Sequence, residues 1–453
     1  MKKKIVYTFL IISILLIFVY ILRYKQALVF INRVPQSATA IVNINTRQLE
    51  HHLLVDILSN PITYLKSDAK NDSVKKLKFT LTKGVQIPKN VLFFTNSTSL
   101  KNNWFSSIFE VNDIDELSKY LITKKFKKSN FENDVIYNKD AVVFVLRNKQ
   151  LIIAFKSNKQ IDIVKTAQSV FNETNFLSNT SLVLKPVINS TSDICFTTQK
   201  RDFLVANFKK GILEIEGETN PDFDLFITTQ QPDITQNSLA FITGKINKTN
   251  TLFQNSLKLI NLSKFNKISH LSLDSIISKW SGFLSFNLKS IKSKTDTIIT
   301  YDYDTDFNKV EIKSTQKLKI PELEFEIKSE KGSNLYHYFL QKKAIQIIEN
   351  DTLFTAFPLY KLYMHSHNMD MMISDEKGAT PVLIKESEFK LKGYLNIEVY
   401  LQNQLDVMQL PLNNKYIDLF KETSVQLSNK NKLSIKVLLK NRNRNFLGQL
   451  IKP

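Results

Sequence analysis

Apolar and polar positions along this chain change rhythm repeatedly, from a period of two to a period near 3.6 and back. Residues 39–45 (TAIVNIN) alternate as a strand. Residues 46–58 then place Leu49, Leu53 and Ile57 on one helical stripe, with Pro61 beyond its end. Residues 91–95 and 104–111 return to strand periodicity, and Asp113 stands where it caps a helix carrying Leu117, Tyr120 and Leu121. Residues 141–146 and 151–156 flank Arg147-Asn148-Lys149-Gln150, a hairpin by length. A helix follows through Ile161, Val164 and Ala167, and residues 194–198, 203–207 and 212–216 read as strands.

The second half repeats this order. Residues 238–245 form a strand, followed by a helix with Phe253, Leu257 and Ile260 at i, i+4, i+7 spacing. Residues 322–328 (ELEFEIK) precede a helical stretch at 334–341, as 104–111 precedes its own helix. A second hairpin spans 360–365 and 369–374, and strands at 393–401 and 433–439 close the set. The expected soluble fold is α+β: two similar lobes, 36–235 and 236–453, each a mainly antiparallel sheet with packed helices, related by a degenerate duplication. Alternation of this kind also makes unrelated lobes look alike, so the strand order of each lobe is the deciding observation.

The N-terminus breaks both rhythms. After Met1, Lys2, Lys3 and Lys4, residues 5–22 are uncharged, with Ile5, Leu10, Leu15, Phe18 and Leu22 spread through the run. Such a helix is about 27 Å long, close to the roughly 30 Å of a bilayer's hydrocarbon core. Tyr7 and Tyr20 lie near its ends, where amphipathic rings favour the interface. A cleaved signal peptide is the rival reading, but Arg23-Tyr24-Lys25-Gln26 follows directly, and Ala38-Thr39-Ala40 lies too far on for cleavage. The expectation is a cytoplasmic tail at 1–4, a single-pass anchor at 5–22 in the lipid bilayer of the inner (cytoplasmic) membrane, and a linker at 23–35. The positive-inside rule then puts the large domain on the periplasmic side.

Composition narrows the function. The net charge is +20, but lysine far outnumbers arginine, the residue that nucleic-acid readers favour, and nucleic-acid binding is not expected. Nine glycines in 453 residues argue against glycine-rich phosphate loops. The single cysteine, Cys195, lies between Ile194 and Phe196 and reads as a buried small hydrophobe. No nucleotide-loop, dinucleotide, zinc-protease or nucleophile-elbow motif occurs, and no cofactor is expected.

Four clusters are candidates for chemistry. His365 and His367, two apart on a strand, share a face and form the best metal pair, with Asp370 or Met371 across the turn. His51 and His52 are adjacent on a helix and diverge by about 100°. Asp302, Asp304 and Asp306 alternate along a strand end but lack the glycine turn and bidentate glutamate of a calcium loop. At the C-terminus no acid follows Glu422, while Lys436, Lys440, Arg442 and Arg444 offer a basic surface for anionic headgroups or envelope polymers. A solvated charged edge explains those residues equally well. Phe446, Leu447, Leu450 and Ile451 have helical spacing for docking the chain end.

The opening V-P-Q-S-A-T-A-I-V-N-I-N (34–45), then G-V-Q-I-P-K-N-V-L-F-F (84–94) and D-I-D-E-L-S-K-Y-L (113–121), resembles uncharacterised single-anchor or lipoprotein envelope proteins of Bacteroidota. Residues 279–286 (KWSGFLSF) look like a corresponding strand entry. The chain departs from the lipoprotein members in having no cysteine after its apolar run. The resemblance implies an envelope location and brings no reaction with it. The leading expectation is a membrane-anchored, non-catalytic envelope protein that binds a protein partner or an anionic envelope component. The alternatives are a carrier or sensor of a lipid-like ligand, suited by 32 phenylalanines, and an enzyme with an unrecognised site.

Overall fold

The computed structural model describes residues 33–65, 84–96, 104–156, 162–220, 224–232, 238–257, 271–355, 360–367, 370–379, 384–403 and 416–451. The expectation of an α+β chain led by a membrane-crossing helix is corrected. Of the described residues 49% are strand and 24% helix, so large antiparallel sheet dominates the architecture. Among the described residues no helix is long and apolar enough to cross a membrane, and the stretch 5–22, with Ile5, Leu10, Leu15, Phe18 and Leu22, lies outside them. Part of the excess lies where the apolar rhythm is weak: residues 292–317 are rich in lysine, threonine and acids and are exposed wherever their side chains are described.

The chain divides into two compact units, one of Met1–Lys210 with Arg444–Lys452, the other of Gly211–Asn443 with Pro453. In the first, strands β1 (Ala40–Asn45), β2 (Val85–Gln86), β3 (Asn90–Thr95), β4 (Trp104–Val111), β5 (Lys127–Phe131), β6 (Asp134–Lys139), β7 (Val142–Arg147), β8 (Gln150–Lys156), β9 (Ile194–Thr198) and β10 (Phe203–Lys209) are all antiparallel. Their order is β10-β9-β1-β3-β4-β8-β7-β6-β5, with β2 added to β4. Helices α1 (Thr46–Ser59), α2 (Pro61–Leu65), α3 (Ile114–Thr123), α4 (Ile163–Phe171) and α5 (Leu184–Asn189) join them.

Side chains alternate across this sheet, and both faces are apolar. Ile41, Leu92, Phe94, Val143, Val145, Ile152 and Ala154 meet Ile163, Ala167 and Val170 of α4 and Leu184 and Val187 of α5. On the other face Val91, Phe109, Val111, Leu146 and Leu151 meet Leu117 and Leu121 of α3. Helix starts are fixed by side-chain caps: Asn45 accepts from Gln48 N, Asp113 from Glu116 N and Asp162 from Lys165 N.

In the second unit the strands are β11 (Ile212–Glu218), β12 (Phe226–Ile227), β13 (Gln230–Pro232), β14 (Ala240–Ile246), β15 (Trp280–Tyr303), β16 (Lys309–Ser329), β17 (Ile345–Ile348), β18 (Asp351–Phe354), β19 (Leu362–His367), β20 (Asp370–Ser374), β21 (Ile384–Glu386), β22 (Phe389–Asn396), β23 (Phe420–Ser428) and β24 (Lys432–Leu439). Their order is β11-β24-β23-β22-β14-β15-β16-β20-β19-β18-β17, again antiparallel. The nine strands from β23 to β17 repeat the order β10 to β5 of the first unit, position for position. Helices α6 (Thr251–Leu257) and α7 (Leu273–Lys279) follow β14, and α8 (Leu335–Gln341) follows β16, matching α1, α2 and α3. Asn396 ends β22 and caps α9 (Ile397–Gln402), accepting from Val399 N as Asn45 does for α1. The unit adds β24 and β11 at one edge; β11, read from sequence with the first lobe, pairs with β24.

A half-buried ion pair bridges the adjacent strands β6 and β7 of the first unit. Asp134, 2% exposed, receives Arg147 Nε at 2.7 Å, Arg147 Nη2 at 3.0 Å and Gln168 Nε2 at 2.9 Å. The Arg147 guanidinium holds its carboxyl below the usual aspartate range. A depressed folded-state value stabilises above the unfolded value and loses that contribution as pH falls through the folded one. Asp134→Asn should therefore cost stability at neutral pH, and the deficit should shrink toward zero in acid below the ordinary aspartate range. Urea unfolding of both proteins across that range checks this; a deficit independent of pH would contradict it.

Candidate interaction surface

Besides β24 and β11, the two units differ in the length of one hairpin. β3 and β4 of the first unit hold six and eight residues; their counterparts β15 and β16 hold 24 and 21. β15 pairs with β14 only from Phe283 to Leu288, and β16 with β20 only from Glu324 to Lys328. Beyond those limits the hairpin continues as a two-stranded ribbon, in register from Ser290↔Glu322 to Tyr303↔Lys309, roughly 45 Å at strand rise. Gly282 allows the entry: its φ is +92°, and a Cβ there would lie 2.1 Å from the Ile246 carbonyl oxygen.

From Lys292 through Lys317 every residue whose side chain is described is exposed. The pairing sorts them by face. Thr295, Thr297, Ile299, Tyr301 and Tyr303 share one face with Lys309, Glu311, Lys313 and Lys317. Val310 and Ile312 lie on the other face. Lys309 Nζ sits 4.0 Å from the Tyr301 ring centroid, and the Tyr301 hydroxyl donates to Glu311 at 3.3 Å. Tyr303 is 66% and Phe307 85% exposed.

The aspartates at 302–306 serve this ribbon's turn. Asp304 accepts from Asp306 N at 2.9 Å and Asn308 N at 2.8 Å, and those backbone bonds, Asn308's first, lower its carboxyl below the usual range. Asp302 accepts from Tyr303 N.

Only part of the histidine pair lies within the described residues. His365 Nε2 lies 3.2 Å from the Glu376 carbonyl oxygen; the side chain of His367 lies outside the described residues. Asp370 is held by Lys328 at 3.1 Å, and Met371 is buried in the core. Among the described residues no group of three or more His, Cys, Asp or Glu could hold a metal. His52 Nε2 lies 3.0 Å from the buried Asp193 carboxylate. Cys195 is fully buried, and burial pushes its thiol up to about 11.

The basic C-terminal residues have carboxylate neighbours. Lys436 lies 3.7 Å from Glu214, Lys440 3.8 Å from Glu398 and Arg442 4.0 Å from Glu422. Arg444 is not on the surface. It is 8% exposed, packs over the Tyr64 ring at 5.3 Å and places Nε 3.7 Å from Asp56 Oδ2. Asp56, itself buried, also receives Tyr64 Oη at 2.5 Å and Asn445 N at 2.7 Å. The C-terminal helix α10 (Phe446–Ile451) continues from this clasp, and Gly448 is required there: a Cβ would lie 2.3 Å from Asp56 Oδ2.

A hollow lies in the first unit, beneath α3. It measures about 470 Å³, has walls of Leu117, Leu121, Phe126, Val142 and Phe144, and includes Lys139 in its lining. Lys139 Nζ donates to the Lys124 carbonyl at 3.0 Å. The sequence marks the tip of the ribbon through Asp302, Asp304 and Asp306 but not its length, and it does not mark the hollow. The signal for the ribbon was the run T-I-I-T-Y-D-Y (297–303), rich in β-branched and aromatic residues but without core alternation.

No family model matches the chain, and no curated protein matches it. Among solved structures, crystal form I of TP0453 is similar over 78% of this chain and 93% of that one, at 9% identity and a TM-score of 0.24. Crystal form III of TP0453 is similar over 75% and 92%, at 9% identity and a TM-score of 0.23. At those TM-scores the likeness carries no argument.

The burial of Arg444 separates it from its basic neighbours in a measurable way. Arg444→Ala leaves Asp56 buried beside a lost cation and should cost about 3 kcal/mol of stability. Lys436→Ala, at an exposed pair, should cost no more than about 1 kcal/mol. Denaturant midpoints of the two variants decide it; equal small losses would place Arg444 in solvent.

Proposed function

We propose that this chain is a non-catalytic binding protein and that the β15–β16 ribbon is where a protein partner docks. The observation that carries this is the exposed row Ile299, Tyr301, Tyr303 and Phe307 on a ribbon with no sheet beside it among the described residues. A two-stranded hairpin is marginal in water, and exposed apolar patches on folded proteins mark interaction sites. Tyrosine and other aromatic side chains dominate the binding energy of such sites. The reading of an anionic envelope component at Lys436, Lys440 and Arg442 has less support, because each already faces a carboxylate.

A photo-crosslinking residue in place of Phe307 tests the ribbon in the cells that make the protein. Discrete adducts are expected there and not from the same residue in place of Leu182, an exposed position on the first unit. Adducts at both positions, or at neither, would sink the reading.

The hollow beneath α3 supports a second reading, a carrier of an apolar ligand with an anionic head, for which Lys124 and Lys139 supply the charge. A fluorescent twelve-carbon carboxylate should bind one-to-one and lose its site in Leu117→Trp, which fills the hollow. Binding undiminished in that variant would remove this reading.

A further inference from the structure

Resting on the reading of the ribbon as a docking element, we propose that its occupant is a second copy of this chain, joined edge to edge through β15. The two outer edges of the ribbon differ in chemistry. Along β16, Lys309, Lys313, Lys317 and Lys319 recur, and lysines on an edge discourage strand addition. Along β15, residues 295–301 (TDTIITY) hold one charge and are otherwise β-branched or aromatic. Past Leu288 no described strand pairs with the outer edge of β15, so its outward N–H and C=O groups are a template for another strand. Lysine recurs along the whole ribbon part of β16, whereas on β15 it stops at Lys294 and leaves residues 295–301 without one.

Charge then selects the register. A two-fold axis normal to the ribbon at residue 298 runs the two β15 strands antiparallel. Lys294 of each copy falls opposite Asp302 of the other, twice by symmetry. Thr295 falls opposite Tyr301, and Thr297 opposite Ile299. Each pair joins positions of like parity, so the side chains meet on a common face. β-Branched, aromatic and opposite-charge pairs of this kind each stabilise an antiparallel ladder. The product is a four-stranded sheet, β16-β15-β15-β16, whose outer edges are both the lysine-bearing strand. The interface is isologous and closes on itself, giving a dimer and not a fibre.

Sedimentation equilibrium of the purified full chain tests this. A concentration-dependent dimer is expected. Asp302→Lys should weaken it about tenfold by setting lysine against lysine, and Lys294→Asp in the same chain should restore it. Ile298→Cys should form a disulfide-linked dimer under mild oxidation, and Tyr303→Cys should not; the buried Cys195 leaves the background silent. A chain that stays monomeric, or a dimer indifferent to the charge swap and to Ile298→Cys, overturns the proposal. If the chain is monomeric while the Phe307 probe still captures a different protein, self-pairing fails and the ribbon reading stands. If neither dimer nor adduct forms, both fail.

Discussion

Every backbone N–H and C=O removed from water needs a partner, and here that requirement is met mainly by antiparallel strand pairing. The strand order of each unit is the consequence. Adjacent strands join by hairpins or by excursions through a capped helix, and interior strands have neighbours on both sides. Burial follows the same geometry. Val143 and Val145 face one layer of helices while Leu146 faces the other, because the pleat alternates. Once pairing fixes register, each core face is fixed with it.

The same constraint makes the ribbon informative. Where β14 and β20 stop, β15 and β16 pair only with each other among the described residues, and from Lys292 to Lys317 every described side chain is exposed. In the first unit the matching hairpin is short, so the shared strand order holds with short strands at this position. The added length lies where conserving the fold does not require it, and it carries tyrosine and isoleucine outward. Its turn is built by Asp304, whose carboxylate is committed to backbone donors at 306 and 308.

Legibility in the sequence followed burial. The alternation at 104–111 coincides with β4, and Asp113 caps the helix after it, because both signals are local. The stripe Leu49, Leu53 and Ile57 predicted the right helix, with Leu49 and Leu53 half-buried, but not its one fully buried residue. The buried residue of α1 is Asp56, with Ile57 and Leu58 outside. What turns Asp56 inward is Tyr64 together with Arg444 and Asn445, the latter two almost 400 positions away, and no periodicity reports a partner at that distance.

The sequence by itself determined where strands with a core face run, where helices start, and that the single cysteine sits among apolar residues. Those properties depend on neighbours a few positions apart. The tertiary structure decided what depended on distant neighbours. It carried Arg444 into a clasp with Asp56 while leaving Arg442 beside Glu422, so one basic run became two environments. It gave the second unit β11 by pairing it with β24. It also left residues 292–317 as paired but uncovered strands, an outcome set by where the flanking strands end and not by any pattern within the ribbon.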